Sequence, residues 1–150
     1  MKLYRIGHKN YIHDLAGTGG LYADGRWHAK GTRIVYFSEH ISLAKLEVLA
    51  NSVILPKNMS LMTVEVADNE AIKEITTSML PESWDGYPYL EKLHSITYDW
   101  IKRSESLILK VPSAQATNEF NYLINPLHKN KDAVKVVSIE PIKFDRRLKF

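Results

Sequence analysis

The sequence predicts a compact mixed α+β fold, with short mixed strands and two main helices. Three observations carry that expectation. Short runs of β-branched and aromatic residues recur along the chain. Two stretches, 41–53 and 89–103, change to a helical period. The strands are not separated by regular helices, as alternating βαβ units would require. At 150 residues the chain is expected to form one domain, spanning 1–150, with room for a real core.

Each element follows from local pattern. Leu3-Tyr4-Arg5-Ile6 reads as an opening strand. Residues 8–24 are polar and rich in glycine, centred on Gly17-Thr18-Gly19-Gly20, and read as a loop. Arg33-Ile34-Val35-Tyr36-Phe37 is β-branched and aromatic, a strand. The spacing from Ile41 to Val53 predicts a helix that stops before Pro56. Leu61 to Val66 alternates as a strand, Asp68-Asn69 is a turn, and Ala71 to Ile75 is a short strand. Two prolines, a glycine and Trp84 make 80–88 a loop. Tyr89 to Arg103 predicts a second helix with Leu90, Leu93, Ile96, Trp100 and Ile101 on its apolar side. Leu107 to Val111 is a buried strand ended by Pro112. Asn121 to Ile124 and Val134 to Ile139 are strands, with 126–131 a loop between them, and a last strand is expected from Ile142. There is no repeat, linker or low-complexity tract.

Composition narrows the function classes. Hydrophobic residues make up 45% of the chain, an ordinary globular value that argues against disorder. No apolar run approaches the roughly 20 residues needed to cross a bilayer. The N-terminus, Met1-Lys2-Leu3-Tyr4-Arg5, lacks the apolar segment of a signal peptide, so a cytoplasmic location without membrane contact is expected. Cysteine is absent, which excludes disulfides, a thiolate nucleophile and a cysteine zinc site. A net charge of +3 is mildly basic and suits an anionic partner. The densest basic group, Lys143, Arg146, Arg147 and Lys149, is expected to be a solvated tail.

Four residues stand out chemically. Glu47 lies about 200° round the predicted helix from Lys45, among Leu43, Ala44, Ala50 and Asn51. It is either a glutamate at a helix edge or a carboxylate in a cleft, where burial without a partner is expensive. Arg26, between Gly25 and Trp27, offers a rigid fork suited to bidentate phosphate contact, or is a surface loop arginine. Tyr36 shares a strand face with Ile34 and Ser38 while Val35 and Phe37 take the other; it is a core tyrosine or a stacking ring. Ser113 follows Val111-Pro112 and either caps a turn or brings a hydroxyl to a pocket rim. A guanidinium for an anion, a ring for a flat base and a carboxylate for a developing cation together suit a dinucleotide whose glycosidic bond is to be broken.

Other signals are weaker. Gly17-Thr18-Gly19-Gly20 is neither a Rossmann fingerprint nor a P-loop. No nucleophile-elbow glycines surround Ser113. The histidines, His8, His13, His28, His40, His94 and His128, show no tight metal spacing, so no metal site is expected. Trp84 and Trp100 read as packing residues.

The segment Gly25-Arg26-Trp27, Gly31, Tyr36, Ser38, Ala44 and Glu47, with the later Val111-Pro112-Ser113 and the run from Asn121 to His128, resembles the RES domain. That family is named for an arginine, a glutamate and a serine. The likeness runs in order from Tyr4-Arg5 to the strand ending at Ile139. It implies an ADP-ribosyltransferase-like fold and the toxin half of a bacterial type II toxin–antitoxin module, which depletes NAD by hydrolysis or phosphorolysis. By motif it makes Arg26, Glu47 and Ser113 catalytic, and Arg26, Tyr36 and Ser113 substrate-binding. Arg26 would pair with the pyrophosphate and Tyr36 stack on nicotinamide or the ribose edge. Ser113 would bond a phosphate or ribose oxygen, and Glu47 would stabilise charge at C1′. The resemblance implies no cofactor beyond NAD as substrate, with inorganic phosphate as a co-substrate in the phosphorolytic case. The implied partner is an Xre-like helix-turn-helix antitoxin that blocks the site, with a homodimer within the complex as a further expectation. One departure is visible: the family usually carries asparagine after Gly-Arg-Trp, and here His28 stands there.

Two other functions compete. The same pocket could transfer ADP-ribose to a protein acceptor. A nucleic-acid-binding module is the alternative of another class. Dispersed basic residues and the lack of an aromatic–basic ladder speak against direct nucleic-acid binding.

Overall fold

The structure is a computed structural model and describes residues 1–149. Seven strands form one sheet in the order β4-β5-β6-β2-β1-β3-β7, so the α+β expectation holds. The strands are β1 (Lys2–His8), β2 (Val35–Ser38), β3 (Met59–Val66), β4 (Ile72–Glu74), β5 (Ile108–Pro112), β6 (Phe120–Ile124) and β7 (Val134–Ile142). Only β4 and β5 pair in parallel; the other neighbours are antiparallel. Two helices, α1 (Ile41–Ala50) and α2 (Glu91–Arg103), complete the frame.

Strand alternation sorts the core onto two sheet faces. Leu3, Val35, Phe37, Met62, Val64, Ile108, Tyr122 and Ile124 gather on one face with Ile12 from the loop after β1. The opposite face carries both helices. Leu93 and Trp100 of α2 pack on Leu109, Val111 and Leu123 of β5 and β6. Ala44 of α1 packs on Ile6 of β1 and Leu61 of β3, with Val48 and Leu49 beside it. Each helix thus covers one half of the sheet, and β2 lies between them with Tyr36 and Ser38 turned to the helix side.

Several boundaries differ from the local pattern. Helix α1 ends at Ala50 rather than Val53. The Asn51 side chain donates to the Glu47 carbonyl at 2.9 Å and Ser52 Oγ to the Val48 carbonyl at 2.6 Å. These bonds satisfy the last turn's orphan carbonyls, and Val53 is left 91% exposed. Strand β5 includes Pro112 instead of stopping before it. The last β4 partner is Lys110, so no ladder bond to β4 is lost at the proline.

The end of the chain corrects two expectations. There is no separate strand from Ile142: β7 runs through that residue, and a 3₁₀ turn follows at Arg146–Leu148. Phe144 is buried beside α1 residues, which draws the backbone over the helix. Lys149 Nζ donates to the Leu49 carbonyl, and Lys45 Nζ to the Lys143 carbonyl at 3.4 Å. The side chains of Lys143, Arg146 and Arg147 are exposed as expected, yet the segment is docked against α1 and is not a free tail.

Candidate active site

A cleft of about 780 Å³ opens on the helix side of the sheet, within the range of roughly 300–1,000 Å³ usual for ligand sites. Its lining includes Arg26, Tyr36 and Glu47, together with Tyr4, Ser38 and Asn121 from the sheet. The cleft lies where α1 and α2, on different halves of the sheet, part over β2, whose Tyr36 and Ser38 line it.

Sheet register builds the Glu47 wall. Ser38 lies directly opposite Tyr4 on one side and Asn121 on the other, and Asn121 opposite Val111. This row crosses four strands with all its side chains on the cleft side. Ser113 stands two residues beyond Val111 on the same face. Ser38 Oγ donates to Asn121 Oδ1 at 2.7 Å. Asn121 Nδ2 donates to Glu47 Oε1 at 2.6 Å, and Ser113 Oγ donates to the same oxygen at 2.9 Å. Among the described residues, Glu47 Oε2 takes no hydrogen bond and Glu47 forms no ion pair. The Ser113 oxygen also accepts from the backbone N–H groups of Gln115 and Ala116 at 3.0 and 3.3 Å. Ser113 is therefore both the turn cap and the carboxylate's neighbour. Its hydrogen, which the family resemblance implies for a phosphate or ribose oxygen, goes to Glu47.

The Arg26 wall is made of loops. Arg26 Nη1 donates to the carbonyls of Trp84 at 3.0 Å and Gly86 at 2.8 Å. The guanidinium also lies over the Tyr89 ring, 5.1 Å from its centroid. Tyr89 OH in turn donates to Asn51 Oδ1 at 3.3 Å, which ties this loop to the end of α1. Among the described residues, Arg26 has no carboxylate partner. Carbonyl dipoles and a ring face hold it without cancelling its charge.

Behind Arg26, two imidazoles fix the backbone. His28 Nε2 faces the Ala23 carbonyl at 2.8 Å, and His28 Nδ1 faces Tyr36 OH at 2.7 Å. A carbonyl only accepts, so the proton belongs on Nε2, and Nδ1 accepts from the tyrosine. Burial lowers the His28 pKa from its ordinary 6.5, with the nearby His94 acting in the same direction. Burial raises the Tyr36 pKa, keeping the phenol protonated. His94 Nε2 donates to the Gly25 carbonyl at 2.8 Å from α2. A Cβ on Gly25 would come within 2.7 Å of the His28 ring and 3.0 Å of Tyr36 OH. Only glycine leaves room for that pair.

The amino-acid profile of the RES domain matches residues 2–146. The chain belongs to the RES domain family. It is 34% identical over 139 residues to the "Prs ADP-ribosylating toxin" of Sphingobium sp. (strain YBL2), covering 90% of this chain and 86% of that protein. Identity to "Toxin Res" of Pseudomonas putida is 33% over 139 residues, with 90% and 92% covered. "Toxin Res" of Photorhabdus laumondii subsp. laumondii is 32% identical over 133 residues, with 87% and 85% covered. The fold is also similar to the crystal structure of the M. tuberculosis MbcT–MbcA toxin–antitoxin complex. There the TM-score is 0.75 at 14% identity, covering 95% of this chain and 84% of that one.

In this RES domain, Arg26, Tyr36 and Glu47 share one cleft, and Ser113 adjoins it through Glu47. Four further residues shape the site without a role assigned to them from sequence: Ser38 and Asn121, which belong to the family motifs, and His94 and Tyr89. Strand alternation signals Ser38, which shares the face of Tyr36. The family motif that begins at Asn121 signals that residue, while no local pattern signals His94 or Tyr89, because their partners lie in distant segments.

Proposed function

We propose that the protein is the enzymatic toxin of a bacterial toxin–antitoxin pair and degrades NAD by cleaving its nicotinamide–ribose bond. The observation that carries this reading is a cleft with an arginine and a glutamate, each fixed by neutral partners and neither paired with an opposite charge among the described residues. NAD presents the complementary pattern: an anionic pyrophosphate and a cationic nicotinamide–ribose end.

The chemistry follows from that pattern. The pyridinium leaves as a neutral base, so its departure needs no general acid. The C1′–N bond breaks with its electron pair going to nicotinamide, through an oxocarbenium-like transition state. Arg26 holds the pyrophosphate. The Tyr36 ring packs on nicotinamide or the ribose edge, its hydroxyl hydrogen being directed to His28. Glu47 stabilises positive charge at C1′ through its field or by accepting a bond from a ribose hydroxyl. Ser113 orients Glu47. Water or inorganic phosphate then bonds to C1′, the water losing its surplus proton to solvent.

The relatives' names support the toxin assignment, and the toxin–antitoxin assembly of the structural neighbour supports a protein partner. That partner is an Xre-like helix-turn-helix antitoxin acting in the cytoplasm. A second reading, transfer of ADP-ribose to a protein, is favoured by the name of the Sphingobium relative. Incubating the purified protein with NAD, with and without phosphate, tests the main reading. Free nicotinamide with ADP-ribose or its 1″-phosphate is expected. NAD left intact unless a protein acceptor is supplied, with that acceptor gaining the mass of ADP-ribose, would favour transfer instead.

A further inference from the structure

We infer that Asn121, oriented by Ser38, is a positioning residue that decides which oxygen of Glu47 faces the ligand. For its catalytic consequence this rests on the NAD-cleaving reading of the same cleft.

Asn121 occupies a costly place for an amide. It is 7% exposed, in a strand whose next residue on the same face, Leu123, is fully buried. An amide there destabilises the fold unless it is hydrogen-bonded. Both ends of it are used. Glu47 without a proton can only accept, so the atom 2.6 Å away must be the nitrogen, Nδ2. Ser38, 4% exposed, satisfies the other end of the amide, its hydroxyl donating to Oδ1. Turning the amide over would set its oxygen against the carboxylate.

The consequence is directional. Asn121 and Ser113 both donate to Oε1. The carboxylate is thereby anchored through one oxygen, and Oε2 is the one with no donor among the described residues. A carboxylate held at one oxygen cannot swing about its last torsion without breaking two charge-assisted bonds. Oε2 therefore keeps a fixed aim into the cleft, as preorganised stabilisation of a developing charge requires. Sheet register sets the aim, since Asn121 and Ser38 are direct partners across β6 and β2.

Steady-state kinetics on single and paired variants tests this. Asn121→Ala should lower kcat on the order of 10- to 100-fold with KM changed less than about twofold, the pattern of an interaction made in the transition state. Ser38→Ala, a milder change that leaves the Glu47 donors in place, should lower kcat roughly 3- to 10-fold. In a Glu47→Gln background, adding either change should alter kcat by less than about twofold, because the residue acts through that carboxylate. Losses that multiply in the double variants, or that fall on KM, would overturn the inference. A second readout needs no turnover: in the wild-type protein, one Asn121 side-chain amide proton should resonate downfield of ordinary asparagines and return to their range in Glu47→Ala. An unshifted proton would also overturn it. Absence of NAD cleavage by the wild type with a shifted amide proton would sink the proposed reaction while sustaining the positioning of Glu47.

Discussion

The Glu47 wall and the Arg26 wall of the cleft hold charges of opposite sign by different means. Glu47, on α1, is fixed by the side chains of Asn121 on β6 and of Ser113 just past the end of β5. Arg26 is fixed by main-chain carbonyls of an irregular loop and by the Tyr89 ring. The first wall is built on a helix and the sheet. The second rests on a segment, 84–89, with no regular structure of its own. A rigid carboxylate suits the bond-breaking step, where small displacements cost rate. An arginine on loops suits binding, where the fork must settle on an anion. The contrast implies a division of labour: substitutions in the first wall should act on kcat and those in the second mainly on KM.

The largest expected effect tests the first half of that division. Glu47→Gln keeps the shape and the acceptor at Oε1 but removes the charge. NAD turnover should fall on the order of 100- to 1,000-fold, as for other lost transition-state contacts. Thermal melting should stay close to the parent, so a large melting loss or retained turnover would break the comparison. A smaller effect should mark the second wall. Arg26→Lys retains one positive charge but not the fork, and kcat/KM should drop on the order of tenfold, mostly through KM. A loss confined to kcat would place Arg26 in the chemistry and blur the distinction.

The smallest expected effect concerns the imidazole behind Arg26. His28 is held neutral by burial, its pKa below the ordinary 6.5. The unfolded chain therefore binds the proton more readily than the folded one. Stability from this group is complete above about pH 6.5 and is lost progressively as pH falls through the window below it. His94 lowers the pKa further and Asp24 opposes that. Melting temperature measured from pH 7 downward should fall less steeply in His28→Asn than in the parent. Equal slopes would show that other groups set the acid sensitivity.

Particular residues show how far the sequence was legible. The helical wheel singled out Glu47, because a carboxylate among Leu43 and Ala44 is costly unless something receives it. Strand alternation placed Tyr36 and Ser38 on one face, and they do line the cleft together. These are periodicities of 3.6 and 2.0, fixed within a few residues of chain. The Ser38–Asn121 pair spans 83 residues, and the Arg26 anchors at Trp84 and Gly86 lie 58 and 60 residues away. No local period encodes such distances. The replacement of asparagine by His28 was visible too, but not its bonds to Tyr36 and Ala23, which depend on how the turn from Gly25 to His28 closes.

By itself, then, the sequence determined the kinds of element, the faces of its strands and helices and the chemistry of Arg26, Tyr36, Glu47 and Ser113. All of these depend on covalent identity and short-range geometry. Tertiary structure alone decided that β6 pairs with β2 in the register that sets Asn121 beside Ser38. It also decided that the helices part over β2, and that Ser113 gives its hydrogen to Glu47. Pairing and packing are settled by contacts between distant segments, where burying one face and satisfying every polar group select one arrangement out of many that the local pattern allows.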